Sequence, residues 1–363
     1  MIAMAAREMG YAVEVLDPSA TCAAAAVVDR VHVGHFDDDE VATQLARRCD
    51  VVTLEIEKLA PSTLAAVARH APLRPGPAAV ELVQHRGRQK RWLAEHGFPV
   101  GPFRVVDSAA ELSQAVRELG GPCHVKSCTG GYDGRGQATL APDATAEAVQ
   151  QVWRALGEST CLVELTLSLQ HELSVLVARR PGGQQLVYPL SLNHHDDGIL
   201  TWASSPAAVA EPVAQAAREL GGAIAGALDL VGLLAVELFL TTDGQLLVNE
   251  LAPRPHNSFH HTVRLCATSQ FEQLVRAVCD LPLGDVAPLS PAAIVNLLGD
   301  LWLGGHEPRW QAALEVPGVR IHLYGKGAPR AGRKMGHLSA IGATAEEAHR
   351  RAAQAYGRLT GAV

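Results

Sequence analysis

The strand-like stretch CHVKSC runs into TGGYDGRGQ, residues 129–137, and the chain leaves through a second strand-like stretch, QATL. Four glycines stand within those nine residues, beside an aspartate, an arginine and a tyrosine. Glycine weakens the interior of a helix or strand, so this density marks a turn or a backbone that must lie close against a ligand. The flanks decide which. Phosphate loops of the P-loop and dinucleotide types run from a strand through glycines into a helix. This stretch returns to a strand instead, and G-x-x-x-x-G-K-[ST] occurs nowhere in the chain. A strand, glycine flap, strand unit can fold over phosphates and offer backbone N–H groups from above. Lys126, four residues before Gly130 on the incoming strand, can supply positive charge.

The 363 residues allow two or three domains around this unit. Up to about Pro77 the pattern alternates: a helix ending near Gly10, strand AVEVLD, a segment ending in RVHVG, helix DDEVATQLARRC, strand DVVTLEI and helix PSTLAAVARH. Such alternation predicts a parallel sheet with helices on its faces. The proline-rich APLRPGPAA reads as a connection into one basic helix, ELVQHRGRQKRWLAEHG, followed by strand FRVVD and helix SAAELSQAVRELGG. Beyond the glycines come a helix near 144–156, strands CLVELTL, HELSVLVAR and QLVYPLSL, a helix near 207–228, and the strand pair LLAVELFL and QLLVNEL. This middle region reads as α+β with largely antiparallel strands. The tail carries AAIVNLLG, VRIHLYGK and APRAGRKMGHL. The expected division is 1–80, an N-terminal α/β domain; 81–290, the domain with the glycine flap; and 291–363, a small C-terminal domain. An open α/β domain normally begins with a strand feeding its first helix. Here the reading opens on the helix, which predicts that the first strand is missing and that the chain as given starts at an internal methionine.

A net charge of −7 gives no support to a nucleic-acid or membrane partner held by bulk electrostatics. The longest apolar window, GGAIAGALDLVGLLAVELFL, carries Asp229 and Glu237, whose cost at membrane depth argues against a spanning helix. The seven cysteines are scattered and never form C-x-x-C, which predicts reduced thiols in a cytoplasmic protein.

A second constellation is the pair Glu237 and Glu250. If Asp243-Gly244 makes a two-residue hairpin turn, residue 242 pairs with 245 and, counting outward, 237 pairs with 250. Two carboxylates then face each other, which is destabilising unless a cation lies between them. Hard oxygen ligands so paired suit Mg²⁺ bridging the phosphates of a nucleotide. A one-residue slip would put the two on opposite faces. The next stretch, NELAPRPHNSFHH, crowds Asn249, Arg254, His256 and Asn257 onto a proline-stiffened loop suited to orienting an oxyanion. LNHHDDGIL is rich in histidine, yet no H-x-x-x-H helix or cysteine partner supports zinc there.

Taken together and in order, VKSCTGGYDGRGQ, YPLSLNHHDDGIL, VELFLTTDGQLLVNELAPRPHNS and GRKMGHL resemble the ATP-grasp enzymes. More closely, they resemble the 5-(carboxyamino)imidazole ribonucleotide synthases of purine biosynthesis, over nearly the whole chain. The resemblance implies an ATP-grasp fold between an N-terminal parallel-sheet domain, apparently lacking its first strand, and a small C-terminal domain. It also implies ATP-dependent carboxylation of 5-aminoimidazole ribonucleotide with bicarbonate through carboxyphosphate, in a cytoplasmic homodimer. Carried over by motif, Arg86 and Lys126 would contact ATP phosphates, and Gly131, Tyr132, Asp133, Gly134, Arg135, Gly136 and Gln137 would form the flap. Glu164, Leu165, Thr166 and Leu167 would hold adenine, the backbone of Leu165 and Leu167 included, while Glu172 would take the ribose hydroxyls, with His195 and Asn249 nearby. Glu237 and Glu250 would bind Mg²⁺ or Mn²⁺. Asp133, Arg135, Arg254, His256, Asn257, Lys326, Arg333 and Lys334 would bind bicarbonate and the ribonucleotide.

Two positions depart from the family pattern: Phe259 follows HNS where glycine is usual, which would crowd the loop, and Leu54 replaces a common aromatic before Glu55 and Glu57. Two other readings stay open at this point. One is a sister enzyme on the same fold, such as the formate-dependent glycinamide ribonucleotide transformylase or a biotin carboxylase. The other, motivated by the absent strand, is a nucleotide-binding protein without turnover.

Overall fold

The computed structural model describes residues 1–130, 136–305 and 307–361. Its first region holds helix Ile2–Glu8, the parallel strands Glu14–Asp17 and Arg30–Val33, and helices Asp39–Ala46 and Pro61–Ala68. Ala42, Ala46, Leu64, Val67 and Leu73 form its core, with Leu54 packed against them. The strand expected at DVVTLEI is reduced to one parallel bridge between Val52 and Leu73. Beyond it the chain turns away, because Glu57 pairs with Arg254 at 3.0 Å and Lys58 donates to the Gly130 carbonyl at 3.3 Å.

The single basic helix expected after the prolines is two helices, Pro77–Val83 and Arg86–Glu95. The first begins inside the stretch read as a connection, with Pro77 at its start, where a missing N–H costs nothing. The break follows from side-chain chemistry. Gln84 donates to the carbonyls of Glu57 and Leu59 at 2.6 and 2.7 Å, and the His85 ring caps the second helix by accepting from Arg88 N at 3.1 Å.

Two sheets then build the site. The smaller is antiparallel, in the order Phe103–Val106, Cys161–Leu165, Cys123–Ser127, Gln137–Leu140. Helices Ala109–Leu119 and Ala146–Ala155 cover it through Leu112, Val116, Val125, Trp153 and Val163. The glycine segment joins its last two strands, with Lys126 opposite Gln137 and Ser127 N–H donating to Gly136 O at 2.9 Å.

The larger sheet has nine strands. Its path runs Leu246–Ala252, Gly232–Thr241, Leu169–Arg179, Ser191–Asp196, Ile199–Ser205, Ala292–Leu298, Lys334–Ile341, Arg320–Leu323. The ninth strand, Gln185–Val187, pairs with Leu169–Arg179. QLVYPLSL, expected as one strand, is interrupted around Pro189, which has no N–H to give the ladder. Both faces of the sheet are covered. Leu234, Val236 and Leu238 pack toward helix Glu211–Ala227, while Leu233 and Ala235 pack toward helix Gln270–Val278. Helix Glu211–Ala227 approaches so closely that a Cβ on Gly221 would lie 2.7 Å from Val175 Cγ1. Phe259 does not crowd the loop as expected. It is fully buried in the second core, 6.5 Å from the Tyr188 ring.

Candidate active site

The two carboxylates meet as predicted, by a different route. Thr241 N–H donates to Gln245 O at 2.9 Å and Gly244 N–H to Thr241 O at 3.0 Å, so the turn holds three residues, Thr242, Asp243 and Gly244, not two. Gly244 adopts φ +84°, the left-handed position that closes such a turn. Counting outward from this turn alone would set Glu237 opposite Asn249. A bulge between Leu238 and Glu237 restores the pairing: Leu238 faces Val248, while Glu237 faces Glu250. Asn249 is the extra residue, and its Nδ2 donates to Glu237 Oε2 at 3.2 Å.

Burial, and next the charge of Glu250, push the Glu237 carboxyl above its ordinary range. His256 Nε2 lies 3.3 Å from Glu237 Oε1, and its Nδ1 lies 2.8 Å from Ser258 Oγ. Burial, then the charges of Arg254, Lys334 and His195, hold His256 well below the usual histidine range, so it is neutral near pH 7. His195 goes the other way. Burial opposes its charge, but Glu172, 2.6 Å away, and the charge of Glu237 outweigh it and raise its pKa. Among the described residues no three histidine, cysteine or carboxylate side chains gather as a metal cluster. The facing glutamates fit a hard divalent cation shared with a ligand's oxygens, since two like charges across one rung are stabilised by a cation between them.

Beside this pair lies a narrow cleft lined by Arg86, Gln89, Lys90, Lys126, Leu162, Glu164, Asn249 and Glu250. Arg86 Nη2 stands 3.8 Å from Glu250 Oε2. Lys126 Nζ donates to Glu164 Oε2 at 2.7 Å, and Lys90 Nζ lies 2.9 Å from Glu164 Oε1. Burial would raise the Glu164 carboxyl, but the charges of Lys126 and Lys90 win and hold it to about 2. Lys90 escapes sequence reading, because a lysine in a basic helix looks solvated. Its one signal is the apolar phase of Leu93, which puts Gln89 and Lys90 on the inward side.

Where strand Cys161–Leu165 ends, Leu165 N–H donates to Pro102 O at 3.0 Å and Thr166 N–H to Pro122 O at 2.8 Å. Those two N–H groups are taken up by the sheet. Pro102 has no N–H to give back, so it returns no ladder bond to the Leu165 carbonyl. The Leu167 side chain lies against Gly101, where a Cβ would come within 3.3 Å.

On the other side of the carboxylates, Arg254 pairs with Glu57, and Asn257 exchanges amide bonds with Asn296 at 3.1 and 2.6 Å. Lys326 donates to Lys334 O at 2.9 Å and sits 5.0 Å from the centre of the Tyr324 ring. Arg333 donates within its own loop, to Ala328 O at 3.0 Å. Gly131, Tyr132, Asp133, Gly134 and Arg135 lie outside the described residues, while Gly136 precedes the return strand and Gln137 begins it.

A carboxylate pair on an antiparallel sheet covered on both faces, opposed by Lys126 on a smaller sheet with a glycine-rich return and by Lys90 on the helix beside it, defines an ATP-grasp protein. The chain matches the ATP-grasp domain over residues 91–271, flanked by the ribonucleotide synthetase preATP-grasp domain over 1–84 and the phosphoribosylaminoimidazole carboxylase C-terminal domain over 292–351. It is 41% identical over 340 residues to N5-carboxyaminoimidazole ribonucleotide synthase of Bacillus subtilis, covering 93% of this chain and 87% of that protein. Among solved structures, the ADP complex of an N5-carboxyaminoimidazole ribonucleotide synthetase superposes with a TM-score of 0.91 at 37% identity, covering 98% and 92% of the two chains. The Aspergillus clavatus N5-carboxyaminoimidazole synthase, in complex with ADP and 5-aminoimidazole ribonucleotide, gives 0.88 at 30% identity, covering 100% and 96%. The chain belongs to the N5-carboxyaminoimidazole ribonucleotide synthase family. Among the described residues no helix is long and apolar enough to cross a membrane.

Proposed function

We propose that this chain is an ATP-dependent carbon–nitrogen ligase that joins bicarbonate to the exocyclic amine of 5-aminoimidazole ribonucleotide, in de novo purine biosynthesis. Family membership supports the reaction. The observation that carries the reading for this chain is the single cleft in which Arg86, Lys126 and Glu250 meet. Cations on one wall and a carboxylate on the other are what a metal-bound triphosphate requires.

In this reading Arg86 and Lys126 hold the phosphates, and the Leu165 carbonyl and the backbone of Leu167 take the adenine edge. Glu172 accepts from the ribose hydroxyls, its carboxylate fixed by the His195 ring at 2.6 Å. Glu237 and Glu250 would hold Mg²⁺, which when bound neutralises charge developing on the phosphates. A bicarbonate oxygen attacks the γ-phosphorus and ADP leaves. The carboxyphosphate formed breaks to CO₂ and phosphate, and the amine nitrogen bonds to CO₂ as it loses a proton to the phosphate. Arg254 and Asn257 orient the bicarbonate, with His256 neutral and able to donate or accept. Lys326, Arg333 and Lys334 serve the ribonucleotide. Asp133 and Arg135 belong to the glycine segment 131–137, which we assign to covering the reactants, because carboxyphosphate hydrolyses wherever water reaches it.

We further propose a cytoplasmic homodimer in which 1–80, 81–290 and 291–363 act as the three functional segments; sedimentation at working concentration tests the dimer. The reaction is tested by phosphate release from ATP. Release that needs both 5-aminoimidazole ribonucleotide and bicarbonate is expected. Release that needs glycinamide ribonucleotide and formate would overturn the assignment, and ATP binding without release under any of these conditions would leave a binding protein.

A further inference from the structure

Lys90 has no part in the reaction as described, yet it is 3% exposed and joins the two halves of the cleft. Its ammonium lies 2.9 Å from Glu164 Oε1 on the small sheet and donates to Val248 O at 2.9 Å on the large one. Val248 belongs to the strand that ends the large sheet, so among the described residues one side of that strand meets no further strand, only the single bridge from Val248 to Val100. Side chains of the basic helix and the chain just after it take that place. Gln89 accepts from Leu251 N–H at 3.0 Å, Lys90 donates to Val248 O, and Pro99 O accepts from Val248 N–H at 2.7 Å. These contacts bracket Asn249 and Glu250, the bulged pair that faces Glu237.

The same ammonium settles the charge of Lys126. The two oxygens of Glu164 are divided, Oε1 to Lys90 and Oε2 to Lys126. Two ammonium groups share one carboxylate, which leaves Lys126, the more exposed of the two, with a surplus of positive charge toward the cleft. Without Lys90 the carboxylate would belong to Lys126 alone and cancel it.

We infer that Lys90 is a positioning residue for nucleotide binding: it frees the charge of Lys126 for a polyphosphate and pins the edge strand that presents Glu250. The inference rests on the ATP reading above. The test is ADP binding by calorimetry, with and without Mg²⁺, to the full chain and three variants. Lys90→Met is expected to weaken ADP by about tenfold or more even without metal, and to reduce the added affinity that Mg²⁺ confers, as supporting contacts of metal sites do. Lys90→Met with Glu164→Gln removes the unshared carboxylate as well and is expected to recover most of the metal-free affinity. A damaged fold would not be rescued that way. Leu93→Ala, a core truncation on the same helix, is expected to lower the melting temperature with ADP affinity unchanged. Lys90→Met binding ADP within twofold of wild type, or a double variant no better than the single, would overturn the inference. Wild-type protein that binds no ADP at all would overturn the nucleotide reading itself.

Discussion

The two sheets that face the cleft are built to different standards of rigidity. The large sheet is clad on both faces, and Glu237 grows from a strand whose neighbours Val236 and Leu238 are almost wholly buried. Among the described residues the core of the small sheet lies on the side of its two helices. It carries Lys126 on the strand that leads into the glycine segment and Glu164 on the strand paired beside it. The contrast separates the tasks. Glu237 sits where packing leaves little slack, and Lys126 sits on the smaller sheet, whose described core lies on its helix side.

The comparison can be broken first at the heavy sheet. Glu250→Gln keeps volume and removes one of two facing charges. Turnover should fall on the order of a thousandfold, with the melting temperature unchanged or raised as Glu237 loses a like-charged neighbour. A variant that still turns over at ordinary Mg²⁺ would show the metal role is misassigned.

Next comes Glu164→Gln in the smaller sheet, which leaves the buried Lys90 ammonium and the partly buried Lys126 ammonium without their shared carboxylate. Its folded-state pKa of about 2 lies below the ordinary 4.5, so its stabilisation is present in full above 4.5 and is lost as pH falls toward 2. A shift of that size corresponds to about 3 kcal/mol at neutral pH. Urea unfolding of wild type and variant should differ by that order at pH 7 and converge in acid; a gap independent of pH would refute the account.

Gly221→Ala tests the packing of the large sheet directly. The new methyl must displace Val175, for about 1–3 kcal/mol, and a neutral result would mean helix Glu211–Ala227 can back away. Smallest is Ser108→Ala, which removes the Ser108 Oγ cap on Glu111 N–H, at 3.2 Å, from helix Ala109–Leu119. A loss of about 1 kcal/mol is expected, with ADP affinity untouched if that helix only supports the small sheet.

Much of this was legible in the residues. Alternating apolar positions gave the strands of both sheets, and the facing glutamates came from counting along a hairpin. That count succeeded because two one-residue differences cancel: a turn longer by Thr242 and a bulge at Asn249. The turn is local chemistry, since a left-handed glycine can close a two- or a three-residue loop. The bulge depends on Gln89, Lys90 and Pro99 gripping an edge strand from far along the chain, which no short window contains. DVVTLEI fails for a similar reason. Its pattern suits a strand, but Glu57 and Lys58 are drawn to partners in other parts of the molecule. The break at Gln84 is likewise made by carbonyls that Gln84 meets only after folding.

Strand Ala292–Leu298 pairs rung by rung with Ile199–Ser205, from Trp202 against Val295 to Ser205 against Ala292. The final seventy or so residues are therefore not an appendage that could be trimmed from an otherwise finished enzyme. Ending the chain before Pro291 would lay bare a long row of backbone donors and acceptors in the middle of what is now one continuous surface, an invitation to pair with strangers. Shortened versions should clump rather than merely lose activity, and anyone dividing the gene for expression should cut elsewhere.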